Sequence, residues 1–156
     1  ALAAQAAAAA GADLAGVRAA AHRAIERTSA LFYVDTLEFL RRGGRVSAAG
    51  ALLGTALSVK PILWVSEGEI VARDKVRTSS RALERLVDLA VEAVGDGDAD
   101  LAVHHLAAPE RAKLVADSVT QRLAGRVRHC WLSEVGAAVA AHVGPGMAGV
   151  VVHRLE

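Results

Sequence analysis

The chain has 156 residues, enough for one domain with a single hydrophobic core, and its formal net charge is +1. This near-neutral balance gives no overall reason to bind nucleic acid, and an aromatic content of 3% leaves few rings for stacking against single-stranded bases. The charge is uneven, however: residues 41–85 carry nine Lys or Arg against four Asp or Glu, which predicts one side that favours anions.

The cysteine content and the charge-free runs indicate the compartment. Cys130 is the only cysteine, which excludes an intrachain disulfide and is typical of a reducing cytoplasm. It lies in the predicted strand RVRHCWL, and we interpret it as a small buried apolar residue rather than a catalytic thiol. The longest charge-free runs, residues 46–59 and 135–152, are respectively too short to span a membrane and broken by Gly-Pro-Gly. The start does not resemble a signal peptide, so we expect a soluble cytoplasmic protein without stable membrane insertion.

The first third of the chain predicts several helices and one strand. Residues 1–10 are alanine-rich and helix-prone, and Asp13 is predicted to cap a second helix with an apolar face. That face comprises Leu14, Val17, Ala21 and Ile25. LFYV at residues 31–34 is a buried-strand candidate, and the helix TLEFLRR follows it, capped by Asp35 or Thr36 and ended by a Gly-Gly pair. The helix SAAGALLGTAL comes next.

The remainder of the chain alternates strands and helices. KPILWVSEGEIVARDKV predicts a β-hairpin that turns at Glu67-Gly68. The helix after it is capped by Thr78 or Ser79 and has apolar residues at the spacing of a buried stripe. The strands LAVHHL, RVRHCWLS and GVVVHRL alternate with the helices APERAKLVADSVTQRLAG and EVGAAVAA, the second of which is capped by Ser133. We therefore predict an α/β layered domain, with a mixed sheet that includes the hairpin and with helices packed on it.

His142 is the first candidate for a binding role. It ends the last predicted helix, just before Gly144-Pro145-Gly146, where unpaired carbonyls concentrate and favour a positive or proton-donating group. Such an imidazole at the mouth of an apolar region suits a carboxylate ligand. The alternative is a histidine that only satisfies the carbonyls at the helix end.

Two basic motifs are candidates for contact with an anion or a partner. RRGGR, which ends at Arg45, places two glycines and three arginines before a predicted helix N-terminus, where amides and guanidinium groups can hold an anion. A Gly-Gly helix end with solvated arginines is the alternative. In KVRTSSR, Arg77 precedes a helix cap, and a contact with an acidic partner and a solvated face both remain open.

Other motifs favour binding over catalysis. Gly50 and Gly54 lie one helical turn apart, which allows either close packing or a channel for a slender apolar ligand. His104 and His105 point to opposite faces of a strand, and with one cysteine and no HExxH motif we expect no metal site. No nucleophile lies beside a recognisable base.

Three segments, read in order, resemble the DegV family: FYVDTLEFLRRGGRVSAAGALLGTALSVKPIL, KVRTSSRAL and HVGPGMAGVVV. The resemblance covers residues 31–152 and departs at Val143, where the family often has threonine. It implies the C-terminal domain of a two-domain α/β fold. Residues 1–29 would be a helical remnant of the N-terminal domain or a linker, and residues 30–156 the lipid-binding domain. The family's N-terminal domain is missing, so the chain is interpreted as a fragment with half of the ligand site.

The resemblance also implies a function. Family members are bacterial cytoplasmic carriers that hold a long-chain fatty acid and present its carboxylate to a fatty acid kinase, and the carrier is not an enzyme. His142 would contact the carboxylate, Arg45 and Arg77 would contact the partner or an anion, and the fatty acid would be a ligand rather than a cofactor. The implied acyl tunnel is lined by Ala48, Ala49, Leu52, Leu53, Leu57, Ile62 and Met147.

Two other hypotheses remain open on the residues. One is an α/β enzyme domain or regulatory subunit that binds a phosphorylated small molecule through RRGGR. The other is an interaction module whose basic stretch docks an acidic partner and which has no deep tunnel.

Overall fold

The protein is described by a computed structural model that covers residues 1–45 and 59–155. Its helices are α1 (Leu2–Ala9), α2 (Leu14–Glu26), α3 (Glu38–Arg42), α4 (Ser79–Val94), α5 (Pro109–Leu123) and α6 (Ala137–Val143). Its strands are β1 (Thr28–Tyr33), β2 (Lys60–Ser66), β3 (Glu69–Val76), β4 (Ala99–His105), β5 (Val127–Glu134) and β6 (Ala148–Arg154). The helix predicted at SAAGALLGTAL lies outside the described residues.

The strands form one mixed sheet in the order β3-β2-β1-β6-β4-β5. The pair β4 and β5 is parallel, and the other neighbours are antiparallel. The predicted hairpin is confirmed as β2 and β3, and its turn has positive φ at both Glu67 and Gly68, as a type I′ turn requires. The predicted α/β domain with a mixed sheet is therefore confirmed.

Helices α4 and α5 cover one face of the sheet and enclose the larger core. The predicted stripe on α4 packs here, with Leu86 completely buried, and Thr78 caps the helix by accepting a hydrogen bond from the Arg81 amide at 3.3 Å. Alternate residues of the strands, such as Leu101 and Val103 of β4, point into this core.

Helices α3 and α6 contact each other over the opposite face. Phe32 and Leu63, which are paired across β1 and β2, point to this side, whereas their neighbours Tyr33 and Ile62 point to the larger core. Because successive strand residues alternate between faces, one sheet supports both clusters.

Three local expectations are wrong. Cys130 is exposed rather than buried, because β5 has only β4 as a strand neighbour among the described residues and lies at the sheet edge. Helix α3 begins after Leu37 instead of a cap at Asp35 or Thr36, although the Thr36 hydroxyl accepts a hydrogen bond from the Glu38 amide at 3.2 Å.

The helix that was predicted to start at Ser133 begins only after Gly136, since Ser133 remains in β5 and its hydroxyl lies 2.9 Å from His104 Nδ1. In α2, the Asp13 cap is confirmed, and on the predicted apolar face Val17 and Ala21 are half-buried, whereas Leu14 is 84% exposed and Ile25 67% exposed. None of the helices in residues 1–45 and 59–155 has the length and apolar character needed to cross a membrane.

Candidate functional site

His142 lies in the last turn of α6, at the contact between α6 and α3. Its ring packs on the backbone of Gly43, which ends α3, so closely that a Cβ atom added there would overlap the ring. The ring nitrogen Nδ1 is buried and has no hydrogen-bond partner among the described residues. A buried polar atom without a partner is uncommon in proteins and indicates strain, a functional role or a bound water or ion.

The Gly-Pro-Gly turn allows two more close approaches. The Phe39 ring of α3 occupies the space where a Cβ of Gly144 would lie, and the Asp35 carboxylate occupies the corresponding space at Gly146. Both glycines also have positive φ, 73° and 86°, which other residues rarely adopt. The turn is therefore specific for glycine for two reasons, and it brings α3, the end of β1 and α6 together around His142.

Asp35 is the centre of a polar cluster behind this turn. Its Oδ1 accepts hydrogen bonds from the Tyr33 hydroxyl and, at 3.5 Å, from the Ser79 hydroxyl. Lys60 Nζ lies 3.0 Å from the Asp35 carbonyl oxygen and 3.4 Å from Oδ1. Arg111 donates from one NH group to Asp35 Oδ2 at 2.9 Å and to the Gly146 carbonyl at 2.6 Å. The carboxylate thus joins β1, β2, α4 and α5 to the Gly-Pro-Gly turn.

The charges in this cluster determine its protonation. Burial alone would raise the pKa of Asp35, but hydrogen bonds from Tyr33 and Arg111 and the positive charges of Arg111 and Lys60 hold that pKa below its usual value. Burial, together with the hydrogen bond to Asp35, raises the pKa of Tyr33. Asp35 is therefore a carboxylate and Tyr33 a neutral donor near neutral pH.

Buried apolar side chains form a cluster next to the Gly-Pro-Gly turn. The cluster consists of Phe32, Val34, Leu40, Leu63, Val143 and Met147, all buried. Leu37, Ile70, Leu106 and Val135 are partly buried against it. This buried apolar cluster includes Val143, the neighbour of His142 in the chain, and Leu40 of α3, the helix on which the His142 ring packs.

The structure brings some of the predicted site residues together. Met147 is 5% exposed and lies in this cluster with Val143, next to His142 in the chain. Ile62 is not brought to them, because it is buried in the core on the α4 and α5 side, and its neighbour Leu63 faces the Met147 side instead. Ala48, Ala49, Leu52, Leu53 and Leu57 lie outside the described residues.

Of the arginines in the two basic motifs, the structure places Arg45 near His142 and the others elsewhere. Arg45 donates to the Gly43 carbonyl at 2.7 Å, which places it at the end of α3 beside the His142 contact. Arg41 and Arg42 both bind the Glu38 carboxylate, at 2.9 and 2.8 Å, so two of the three arginines of RRGGR are engaged by their own helix. Arg77 is exposed, directly before the cap of α4.

The Asp35 cluster is the part of the site that the sequence analysis did not find. Its residues come from positions 33 to 146, and only the fold brings them together. The available signal was the position of Asp35 directly after a buried strand, which had been interpreted as a helix cap. The residues that the structure describes contain no group of three or more His, Cys, Asp or Glu side chains placed to hold a metal ion.

The structural class is an α/β domain with a mixed sheet and helices on both faces, in which the His142 ring packs on Gly43. The structure is similar to that of a fatty-acid-binding DegV family protein from Thermus thermophilus. The match covers 99% of this chain and 55% of that one, with a TM-score of 0.90 and 29% sequence identity. It matches the fatty acid binding DegV family protein of Streptococcus agalactiae over 99% of this chain and 54% of that one, with a TM-score of 0.87 and 29% identity.

The chain belongs to the DegV family. The family model, described as an uncharacterised protein of the DegV family, matches residues 1–155. A DegV domain-containing protein of Streptomyces coelicolor is 52% identical over 133 residues, which is 85% of this chain and 47% of that protein. One from Mycobacterium tuberculosis is 45% identical over 97% of this chain and 54% of its own length. The chain thus spans about half the length of these curated relatives.

Proposed function

We propose that the protein binds a long-chain fatty acid and that His142 contacts its carboxylate. The observation that carries the proposal is the buried Nδ1 of His142, which has no hydrogen-bond partner among the described residues and lies beside an apolar cluster. A buried nitrogen without a hydrogen bond carries a desolvation penalty, and a hydrogen bond with a ligand oxygen removes that penalty.

The balance of energies supports an acid with a long apolar chain. Transfer of a hydrocarbon chain from water is favourable by about 0.8 kcal/mol per methylene, so a long acyl chain contributes several kcal/mol. A carboxylate that leaves water must instead be hydrogen-bonded or paired, and an imidazole that donates a proton supplies that partner. The fatty-acid-binding DegV proteins of Streptococcus agalactiae and Bacillus subtilis, which share this fold, support the same ligand class.

The finer proposal concerns the whole protein. We infer that it is a cytoplasmic carrier that presents the bound carboxylate to a fatty acid kinase and does not itself catalyse the reaction. His142 and Met147 are the site residues proposed from the described part of the chain, and Arg45 and Arg77 are proposed to contact the anion or the kinase. Since this chain spans about half of its relatives, the other half of the carboxylate site is expected from the rest of the family architecture.

The phosphorylated-ligand hypothesis has less support. Two arginines of RRGGR are already bound to Glu38, which leaves Arg45 as the guanidinium of that motif directed to the end of α3. A thermal shift of the protein with inorganic phosphate or a sugar phosphate that exceeds the shift with palmitate would favour that hypothesis over fatty acid binding.

The test compares His142→Ala with His22→Ala in the complete gene product. His22 is exposed on α2, so its replacement controls for the loss of an imidazole. Purified protein is extracted with organic solvent and analysed by mass spectrometry for fatty acids, and palmitate affinity is measured by calorimetry. We expect fatty acid in the wild type and the control, and an affinity lower by about tenfold or more in His142→Ala, the usual cost of losing a charged hydrogen bond. Absence of fatty acid from repeated wild-type preparations contradicts the proposal.

A further inference from the structure

Arg111 connects the α5 layer to the Gly-Pro-Gly turn. It lies in the first turn of α5, on the side of the sheet opposite to α3 and α6, and its guanidinium group reaches the end of the sheet. One NH group donates to both Asp35 Oδ2 and the Gly146 carbonyl, and the guanidinium carbon lies 5.7 Å from the centre of the Tyr33 ring. Its side chain is 32% exposed, so the contacts are partly shielded from water.

The two oxygens of Asp35 have different partners. The Oδ1 atom contacts Tyr33, Ser79 and Lys60, whereas Oδ2 accepts a hydrogen bond from Arg111. Oδ2 is also the atom that fills the space beside Gly146. Arg111 therefore orients the oxygen against which the turn packs.

Backbone hydrogen bonds also anchor the turn to the end of β4. The Gly146 amide donates to the Leu106 carbonyl at 2.8 Å, and the Leu106 amide donates to the Met147 carbonyl at 3.2 Å. These bonds fix the turn to the end of β4, while Arg111 fixes the Gly146 carbonyl to β1 through Asp35. The β4 anchors remain when Arg111 is replaced, so the fold is expected to persist with the turn less well placed.

We propose that Arg111 is a positioning residue for His142, acting through Asp35 and Gly146. The Gly146 carbonyl and the Asp35 carboxylate set the position of the turn, and the turn sets where α6 ends and where the His142 ring lies over Gly43. The inference deepens the proposed function and rests on it for its effect on ligand affinity, whereas the placement of the ring can be measured without a ligand.

The experiment compares Arg111→Met with Arg122→Met in the complete gene product. Arg122 lies on the same helix and binds Asp88 at 2.5 Å, away from the turn, so the control also removes an arginine and an ion pair from α5. Arg111→Lys keeps the charge but lacks the planar fork, and serves as a second variant if Arg111→Met folds poorly. Ligand-free protein with isotope-labelled histidine gives the His142 ring signals by NMR, which are assigned with His142→Ala, and calorimetry gives the palmitate affinity.

In Arg111→Met we expect displaced or broadened His142 ring signals and palmitate affinity lower by about tenfold, the scale seen when a group that orients a binding residue is lost. Arg111→Lys is expected to recover part of both, and Arg122→Met to change neither. His142 signals in Arg111→Met that coincide with those of the wild type overturn the inference, even if the melting temperature falls. If the wild type binds no palmitate, the proposed function fails, and the ring signals still decide whether Arg111 positions His142.

Discussion

At the scale of single residues, the candidate site depends on glycines, whose lack of a side chain leaves space for neighbouring groups. Gly43 has φ of −77°, a value open to any residue, so the backbone does not require glycine there. The requirement comes from the His142 ring, which occupies the space of a side chain. Close approach of the imidazole ring to the backbone of Gly43 is therefore what allows His142 to pack on the end of α3.

We expect Gly43→Ala to lower the free energy of unfolding by about 1 to 3 kcal/mol, since the added methyl group forces the ring and α3 apart. The matched control is Gly97→Ala, because a Cβ at Gly97 meets no atom within 4 Å and that glycine also lacks a positive φ. Urea unfolding of both variants measures the difference. Equal stabilities of Gly43→Ala and Gly97→Ala would contradict the packing of His142 on Gly43.

The lowered pKa of Asp35 leads us to expect that stability depends on pH. Its pKa is held below the unfolded value of about 3.9, so its contacts stabilise the fold above that pH, and the contribution is lost as the pH falls through the lower folded-state pKa. Asp35→Asn should therefore lower the free energy of unfolding near neutral pH by about 2 kcal/mol, and the difference from the wild type should narrow in acid.

Urea unfolding at neutral and acidic pH checks this, with Asp117→Asn as the control. Asp117 pairs with Lys113 on the surface, where both side chains are about two-thirds exposed, so its loss should cost less than about 0.5 kcal/mol. An Asp35→Asn deficit that persists unchanged in acid would contradict the assigned role of the carboxylate.

At the scale of elements, the sequence predicted what periodicity and turn chemistry determine. The stripe on α4 and the Glu67-Gly68 turn were correct because each is specified within a few consecutive residues. The burial of Cys130 was wrong because strand order decides which strand lies at an edge, and strand order is a long-range property. His142 is a candidate that its place before Gly-Pro-Gly indicates, whereas the Asp35 to Arg111 contact joins residues 76 positions apart and leaves no local pattern.

The two helices of the larger core give a prediction at the same scale. Leu86 of α4 is completely buried, whereas Leu114 of α5 is 51% exposed. Leu86→Ala should lower the free energy of unfolding by about 2 to 5 kcal/mol because it leaves a cavity, and Leu114→Ala by less than about 0.5 kcal/mol. Chemical denaturation of the two variants measures this, and similar values would mean that α4 does not form the core as described.

At the scale of the whole molecule, basic residues lie on elements that neighbour the candidate site. Arg45 lies at the end of α3 next to Gly43, and Arg77 lies before α4, whose first residue Ser79 contacts Asp35. Two arginines of the basic region predicted from residues 41–85 therefore lie next to elements of the candidate site. If the protein presents a carboxylate to a kinase, as we propose, an acidic surface on the kinase is the best match for these arginines.

Under the proposed function, a substitution at Arg77 is expected to separate presentation of the ligand from its binding. Arg77 is exposed and has no place in the apolar cluster, so Arg77→Glu should leave palmitate affinity within about twofold, while acyl-phosphate formation by the kinase falls by about tenfold at low salt. The defect should shrink as added salt screens the charges. Arg18→Glu, on exposed α2, makes the same change of charge outside the basic region and should have little effect. If both variants lower the kinase rate equally, net charge rather than this surface governs the encounter, and if Arg77→Glu abolishes palmitate binding, Arg77 belongs to the ligand site.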